Sequence, residues 1–295
     1  MPAAWIPITV FAAAAQTVRN AAQRHLTGEL GTLGATLVRF LYGVPFAALW
    51  LVAVLAVHSG APVPPPDARF AGWLLVGAVG QIGAMALLLK VMEERNFALG
   101  VAYSKTEVLQ VAIFGWLFLG DPVSAGTAAA VVLGTAGVFL LSGGWRAGWS
   151  ARTAAFGIAC GGLFALSAVG YRGAELALPH GSFVVTAAFT LLMAQAVQTL
   201  LLGGWLLARD APVVLRVLRA WRISLLAGFM GAAASAGWFT AFAIEPVAHV
   251  RTLGLVELVF SYAVSRRLFR ERLAAIEIAG IALLALGVAA ITVAR

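Results

Sequence analysis

Residues 97–142 read FALGVAYSKTEVLQVAIFGWLFLGDPVSAGTAAAVVLGTAGVFLLS. Two apolar runs, Phe97 to Leu119 and Ser124 to Ser142, flank the turn residues Gly120, Asp121 and Pro122. Each is close to the ~20 residues that a helix rising ~1.5 Å per residue needs to cross a hydrocarbon core of about 30 Å. Such a pair, joined by too few residues to fold separately, reads as two consecutive membrane-spanning helices. The first of them carries a lysine and a glutamate, Lys105 and Glu107, well inside the run.

The rest of the chain repeats this texture. Of its 295 residues, 62% are hydrophobic and 11% charged, with a mean hydropathy of +0.95. A soluble domain, with about a quarter of its residues charged, is excluded. Apolar runs bounded by Gly, Pro and charge place ten spans near Trp5 to Gln23, Leu33 to Val57, Phe70 to Met92, Phe97 to Leu119, Ser124 to Ser142, Thr153 to Gly173, Phe183 to Leu207, Trp221 to Ala243, Val247 to Arg267 and Leu273 to Val293. The longest connections, His58 to Arg69 and Ala208 to Ala220, are too short for a separate domain. Met1 to Ala15 lacks a basic leader, so the first span is expected to be retained. The net charge of +8 lies in short loops, where it sets topology rather than binding nucleic acid. Counted by loop, it places both termini outside.

An internal repeat organises the spans. A shift of 150 residues brings Glu257 onto Glu107, Glu271 onto Asp121 and Gly287-Val288 onto Gly137-Val138, and a shift of 151 brings Gly228 and Gly231 onto Gly77 and Gly80. The halves, 1–145 and 146–295, then hold five spans each. Odd-numbered copies must insert in opposite orientations, the inverted-repeat plan of many secondary transporters, whose sites lie near the midplane between the repeats. The expected fold is therefore an all-α membrane protein of ten transmembrane helices, two inverted five-helix repeats around a central cavity.

A charge inside the bilayer costs at least ~2.5 to 3.5 kcal/mol on insertion scales, so each one needs a reason. Glu107 shares a helix face with Tyr103 and Gln110, and Glu257 sits at the same depth of its span. Lys105, two residues from Glu107, points to another side of a regular helix and is not expected to pair with it. Lys105, Arg39 and Arg251 are candidate charge partners. A carboxylate in low dielectric binds a proton more readily, which makes protons a candidate coupling ion unless a cationic partner removes that advantage. Gln81 and Trp238 complete the candidate substrate-binding set, Trp238 as a stacking surface or as lipid-facing packing. For Glu107 and its stripe the alternatives are a cavity face and a buried cluster that bolts helices together. Lys90, near a span end, is read as reaching the interface, and Trp5 as one of several interfacial tryptophans.

Other chemistries find no residues. There is no Gly-Lys dipeptide for a P-loop, no paired His or Cys at metal spacing, no Gly-x-Ser-x-Gly elbow and no aspartate within an expected span. The lone Cys160 has no thiol partner. No cofactor, metal or enzymatic activity is expected.

Leu119-Gly120-Asp121 with Gly137-Val138, repeated as Phe269-Arg270-Glu271 with Gly287-Val288, resembles the paired-helix signature of EamA-type permeases of the drug/metabolite transporter superfamily. Glu107 and Glu257 match the family's glutamate fourteen residues before the loop acid, and Leu37-Val38-Arg39-Phe40 is similar to its second-helix arginine segment. Val108 and Leu258 stand where the family has proline, so these helices are expected to run straighter. The resemblance implies a multi-pass protein of the inner (plasma) membrane that exports small metabolites such as amino acids, with both termini in the cytoplasm and no need of a second copy. For a zwitterionic substrate, Glu107 would hold the ammonium and a basic residue the carboxylate. An importer of the same fold and a non-transporting membrane scaffold or lipid-binding protein are the alternatives.

Overall fold

The computed structural model describes residues 4–58, 62–63, 65–94, 104–141, 151–178 and 182–268, with scattered residues between 276 and 290. All regular structure among them is helical: α1 (Trp5–Leu41), α2 (Val44–Val57), α3 (Ala68–Glu94), α4 (Glu107–Phe114, continued by a π-helical turn Gly115–Leu119), α5 (Ala125–Leu141), α6 (Ala151–Ala177), α7 (Phe183–Arg209), α8 (Ala211–Arg219), α9 (Trp221–Ile244), α10 (Val247–Leu253) and, after a 3-10 turn Gly254–Val256, α11 (Glu257–Leu268). Six helical segments in the described residues are long and apolar enough to cross a membrane, and Glu107–Leu119 and Ala125–Gly137 are shorter apolar helices. The chain is a multi-pass helical membrane protein. The tenth expected span, Leu273 to Val293, lies mostly outside the described residues.

The first two expected spans are one interrupted helix. Trp5–Val57 runs through Gly31, whose φ of 69° is open to glycine without the Cβ penalty other residues meet, and breaks again at Tyr42 and Gly43. The second break is packed from both sides. A Cβ on Gly228 would fall 2.5 Å from the Tyr42 backbone, and one on Gly43 would collide with the Gln195 side chain. The connection expected from Ala208 to Ala220 contains α8, which buries Val213, Val214 and Val217 and ends on Arg216 and Arg219. Val213 and Val217 press on Gly34, and the Val217 carbonyl accepts from the Tyr42 hydroxyl at 3.1 Å.

Two long seams hold the bundle: α1 packs along α9, and α3 along α6. Glycines set both distances. Gly170 brings its α-carbon so close to α3 that an added Cβ would lie 2.6 Å from the Gly77 nitrogen, while Gly237 meets Ala12 at 2.8 Å. Close approach of this kind is how helices associate in lipid, where apolar contact alone gives no preference for protein over acyl chain. Large apolar side chains such as Leu49, Val52, Trp116 and Leu200 are exposed on the outside. Trp5 is an exception to the expected interfacial belt. It is buried, 6.5 Å from the His249 ring.

Candidate functional site

Glu107 and Glu257 each open a helix. Residues 105 and 106 form a turn, so α4 begins at Glu107, and the 3-10 turn Gly254–Val256 ends at Glu257, the first residue of α11. The straighter path expected from the missing prolines is not taken. Breaking the helix at Lys105 also overturns its expected separation from Glu107: off the regular helical path, its ammonium lies 3.3 Å from Glu107 Oε1 and 2.5 Å from Glu257 Oε2. Arg251 Nη1 stands 3.6 Å from Glu107 Oε1.

The opposite side of Glu257 is closed by α1. Gln16 Nε2 donates to Oε2 at 2.7 Å and Asn20 Nδ2 to Oε1 at 3.0 Å, while Arg19 donates to Asn20 Oδ1 at 2.6 Å. Gln16 in turn accepts from Trp238 Nε1 at 2.9 Å, and the Arg251 guanidinium sits 4.6 Å from the Trp238 ring centre. Trp238 therefore faces the centre of the protein, not lipid. All these side chains are buried; Lys105, Glu107 and Glu257 are 3%, 2% and 0% exposed. In so dry a setting a charged group persists only with charge-bearing or hydrogen-bonding neighbours, and both carboxylates have them.

Arg39 lies in the same region but does not reach a carboxylate among the described residues. Its Nη2 donates to Ser235 Oγ at 3.2 Å. Gln81 belongs to a different cluster, where its Oε1 accepts from the Tyr171 hydroxyl at 3.0 Å and Gln198 Nε2 at 2.7 Å, tying α3, α6 and α7 together. Gln110 also turns away from Glu107. Its amide donates to the Ile158 carbonyl at 3.3 Å, and Gly161 and Gly162 leave room for it. Tyr103 lies outside the described residues. Lys90 is exposed and pairs with Glu93 at 3.6 Å.

A cavity of ≈ 820 Å³ is walled by Phe11, Phe46, Trp50, Phe229, Ala233 and other residues, mostly apolar, of α1, α2, α7 and α9, and none of the seven described candidates is among them. The described side chains of the polar centre are buried. Gln16, Arg19 and Asn20 belong to it, though none is among the residues expected at the site. Their signal was the polar stripe Gln16, Asn20, Gln23 at helical spacing, matched on α9 by Gly231, Ser235 and Trp238.

A second polar cluster closes one end. Arg172 on α6 donates to Asp121 Oδ1 at 3.0 Å and from Nη1 to the carbonyls of Phe242 and Glu245. Glu245 contacts His249 at 2.7 Å, and the other ring nitrogen of His249 lies 2.9 Å from the Thr127 hydroxyl.

Ionisable side chains buried inside a bundle of membrane-spanning helices are costly there and mark functional sites in many such proteins. The model of the EamA-like transporter family, of the drug/metabolite transporter superfamily, matches residues 3–143 of this chain. Among solved proteins, one crystal structure superposes with a TM-score of 0.68 at 18% identity, over 99% of this chain and 97% of that one, which establishes a shared fold. No curated protein matches the chain.

Proposed function

We propose that this chain is a secondary transporter of the inner membrane, built as two inverted five-helix halves, 1–145 and 146–295, that exports small metabolites such as amino acids by alternating access. The observation that carries the reading is the contact of Lys105 with Glu257, together with the helix break in front of each matching glutamate. Ionic side chains at interrupted helices near the repeat interface are where such transporters hold their substrates. The seams support the same plan. α1 against α9 joins the first span to the eighth, and α3 against α6 joins the third to the sixth, which a pseudo-twofold exchanges.

In this reading the structure is an occluded form. Its two central carboxylates are engaged by neighbouring cations and amides, and a substrate would replace some of those contacts with its own. Lys105 lies against both glutamates, so neither Glu107 nor Glu257 is the unpaired buried carboxylate that would favour protons as coupling ion. The test is flux of an amino-acid panel through liposomes containing the purified protein, with E107Q and E257Q beside it. Saturable flux that both variants lose while remaining folded is the expected result. Unchanged flux in both variants would overturn the assigned site. Variants that only lower stability, with no flux in the parent protein, would favour a membrane scaffold.

A further inference from the structure

The buried centre carries more positive than negative charge. Arg19, Arg39, Lys105 and Arg251 are 0%, 2%, 3% and 6% exposed, against two carboxylates, Glu107 and Glu257, at 2% and 0%. Both carboxylates are already engaged, Glu257 by Lys105, Gln16 and Asn20, and Glu107 by Lys105 and Arg251. The excess falls on Arg19 and Arg39. Arg39 Nε and Nη1, Arg19 Nη1 and Arg251 Nε are buried without a hydrogen-bond acceptor among the described residues.

These orphan donors share one place. A Cβ built on Gly231 would lie 3.2 Å from Arg39 Cγ and 3.4 Å from Arg19 Cδ, so the two arginine stems flank the same glycine of α9. One helical turn on, Ser235 already accepts from Arg39 and holds its guanidinium in position. Two like charges side by side, away from water, with fixed geometry and unused N–H groups are matched by an oxyanion that accepts from both, since paired guanidinium groups and carboxylate or phosphate oxygens are complementary in shape and charge.

We infer that the substrate is a small organic anion, whose carboxylate or phosphate oxygens are held by Arg19 and Arg39 over Gly231. This narrows the proposed metabolite to one of net negative charge, such as a dicarboxylate or an acidic amino acid, and it rests on the transport reading.

Two readouts on the full-length protein separate the inference from that reading. In the first, liposomes containing the protein are given labelled succinate, glycerol 3-phosphate, glutamate, alanine and putrescine in counterflow. In the second, the same five compounds are tested for thermal stabilisation of the protein in detergent. Succinate, glutamate or glycerol 3-phosphate is expected to be transported and to stabilise, with alanine and putrescine inactive; which of the three works tells carboxylate from phosphate. R39Q should lower the effective affinity by about tenfold or more, the loss expected for removing a charged hydrogen-bond donor, and R39K should keep part of it. Should R39Q fail to fold, the selectivity of the parent protein still decides. Transport of alanine or putrescine alone would overturn the anion while leaving the transporter standing. Stabilisation by an anion, lost in R39Q, without flux of any compound would keep the anion site and overturn transport. Neither flux nor stabilisation by any of the three anions would overturn the inference.

Discussion

Lys105 and Glu257, drawn from opposite halves of the chain, meet at 2.5 Å in the interior, and Lys105 also reaches Glu107 at 3.3 Å. One ammonium thus bridges the two glutamates that a shift of 150 residues aligns in the sequence. Two helix breaks make the contact: the turn at 105–106 swings the lysine off the face that a continuous helix would give it, and the 3-10 turn before Glu257 brings that carboxylate in from the other side.

Removing one partner of this pair should cost more than removing both. K105M strands two buried carboxylates, one of which keeps Arg251 at 3.6 Å, and is expected to destabilise by about 3–5 kcal/mol. E257Q in the same protein should recover a substantial part of that loss, because Gln16 and Asn20 can still hydrogen-bond a neutral amide. Reversible unfolding in mixed micelles measures both. Losses that simply add would show that the two side chains do not interact.

The seam between α3 and α6 gives a prediction of opposite sign at two glycines of the membrane-embedded region. Gly170 has the Gly77 backbone where its Cβ would go, and backbone cannot yield as a side-chain tip can, so G170A should cost about 1–3 kcal/mol. Gly72 has nothing within 4 Å, and G72A should be neutral or stabilise by up to about 1 kcal/mol through helix propensity. The chain supplies its own reporter. Cys160 is buried in this seam, its thiol donating to the Ala84 carbonyl at 3.2 Å, and should react with a maleimide slowly in the parent protein and faster in G170A.

The helical, membrane-spanning character was legible because it depends on composition and on the length of the apolar runs. Glu107 and Glu257 could be matched by a constant shift, and the glycines at 77, 80, 228 and 231 mark seams for the same reason. The partners of the charged groups were not legible. Lys105 seemed unable to reach Glu107 because spacing arguments assume an unbroken helix, and neither break has a proline to announce it. Nothing in the sequence separates Arg19 and Asn20 from ordinary interhelical polar residues, since their role depends on which helix faces them. Gln110 and Gln81 share polar chemistry with the centre, yet the rotation of α4 and the position of α3 direct them elsewhere.

Gln81 should therefore behave as a structural bolt. Y171F removes one donor while Gln198 continues to satisfy Gln81 Oε1, and should cost about 1 kcal/mol. Q81L leaves both the Tyr171 hydroxyl and the Gln198 amide without that acceptor and should cost about 2–3 kcal/mol. Neither should change which compound is transported. A shift in substrate preference with unchanged stability would place Gln81 in the substrate site after all.

Arg172 should be the most sensitive residue at the closed end. Its guanidinium holds Asp121 through Nε and Nη2, both on Oδ1, and reaches the Phe242 and Glu245 carbonyls through Nη1, so one side chain joins the α4–α5 turn to the end of α9. A lysine has one nitrogen at a single point and cannot reproduce a fork that serves two directions. R172Q strands a carboxylate and two carbonyls and should cost about 3 kcal/mol, with R172K only a little better. D121N should cost less, about 1–2 kcal/mol, because Arg172 keeps both carbonyl acceptors and still faces an amide oxygen. Unfolding measurements on the three variants check the order. If D121N proved the most damaging, Asp121 would owe its position to contacts other than Arg172, and the joint between these two turns would lie elsewhere.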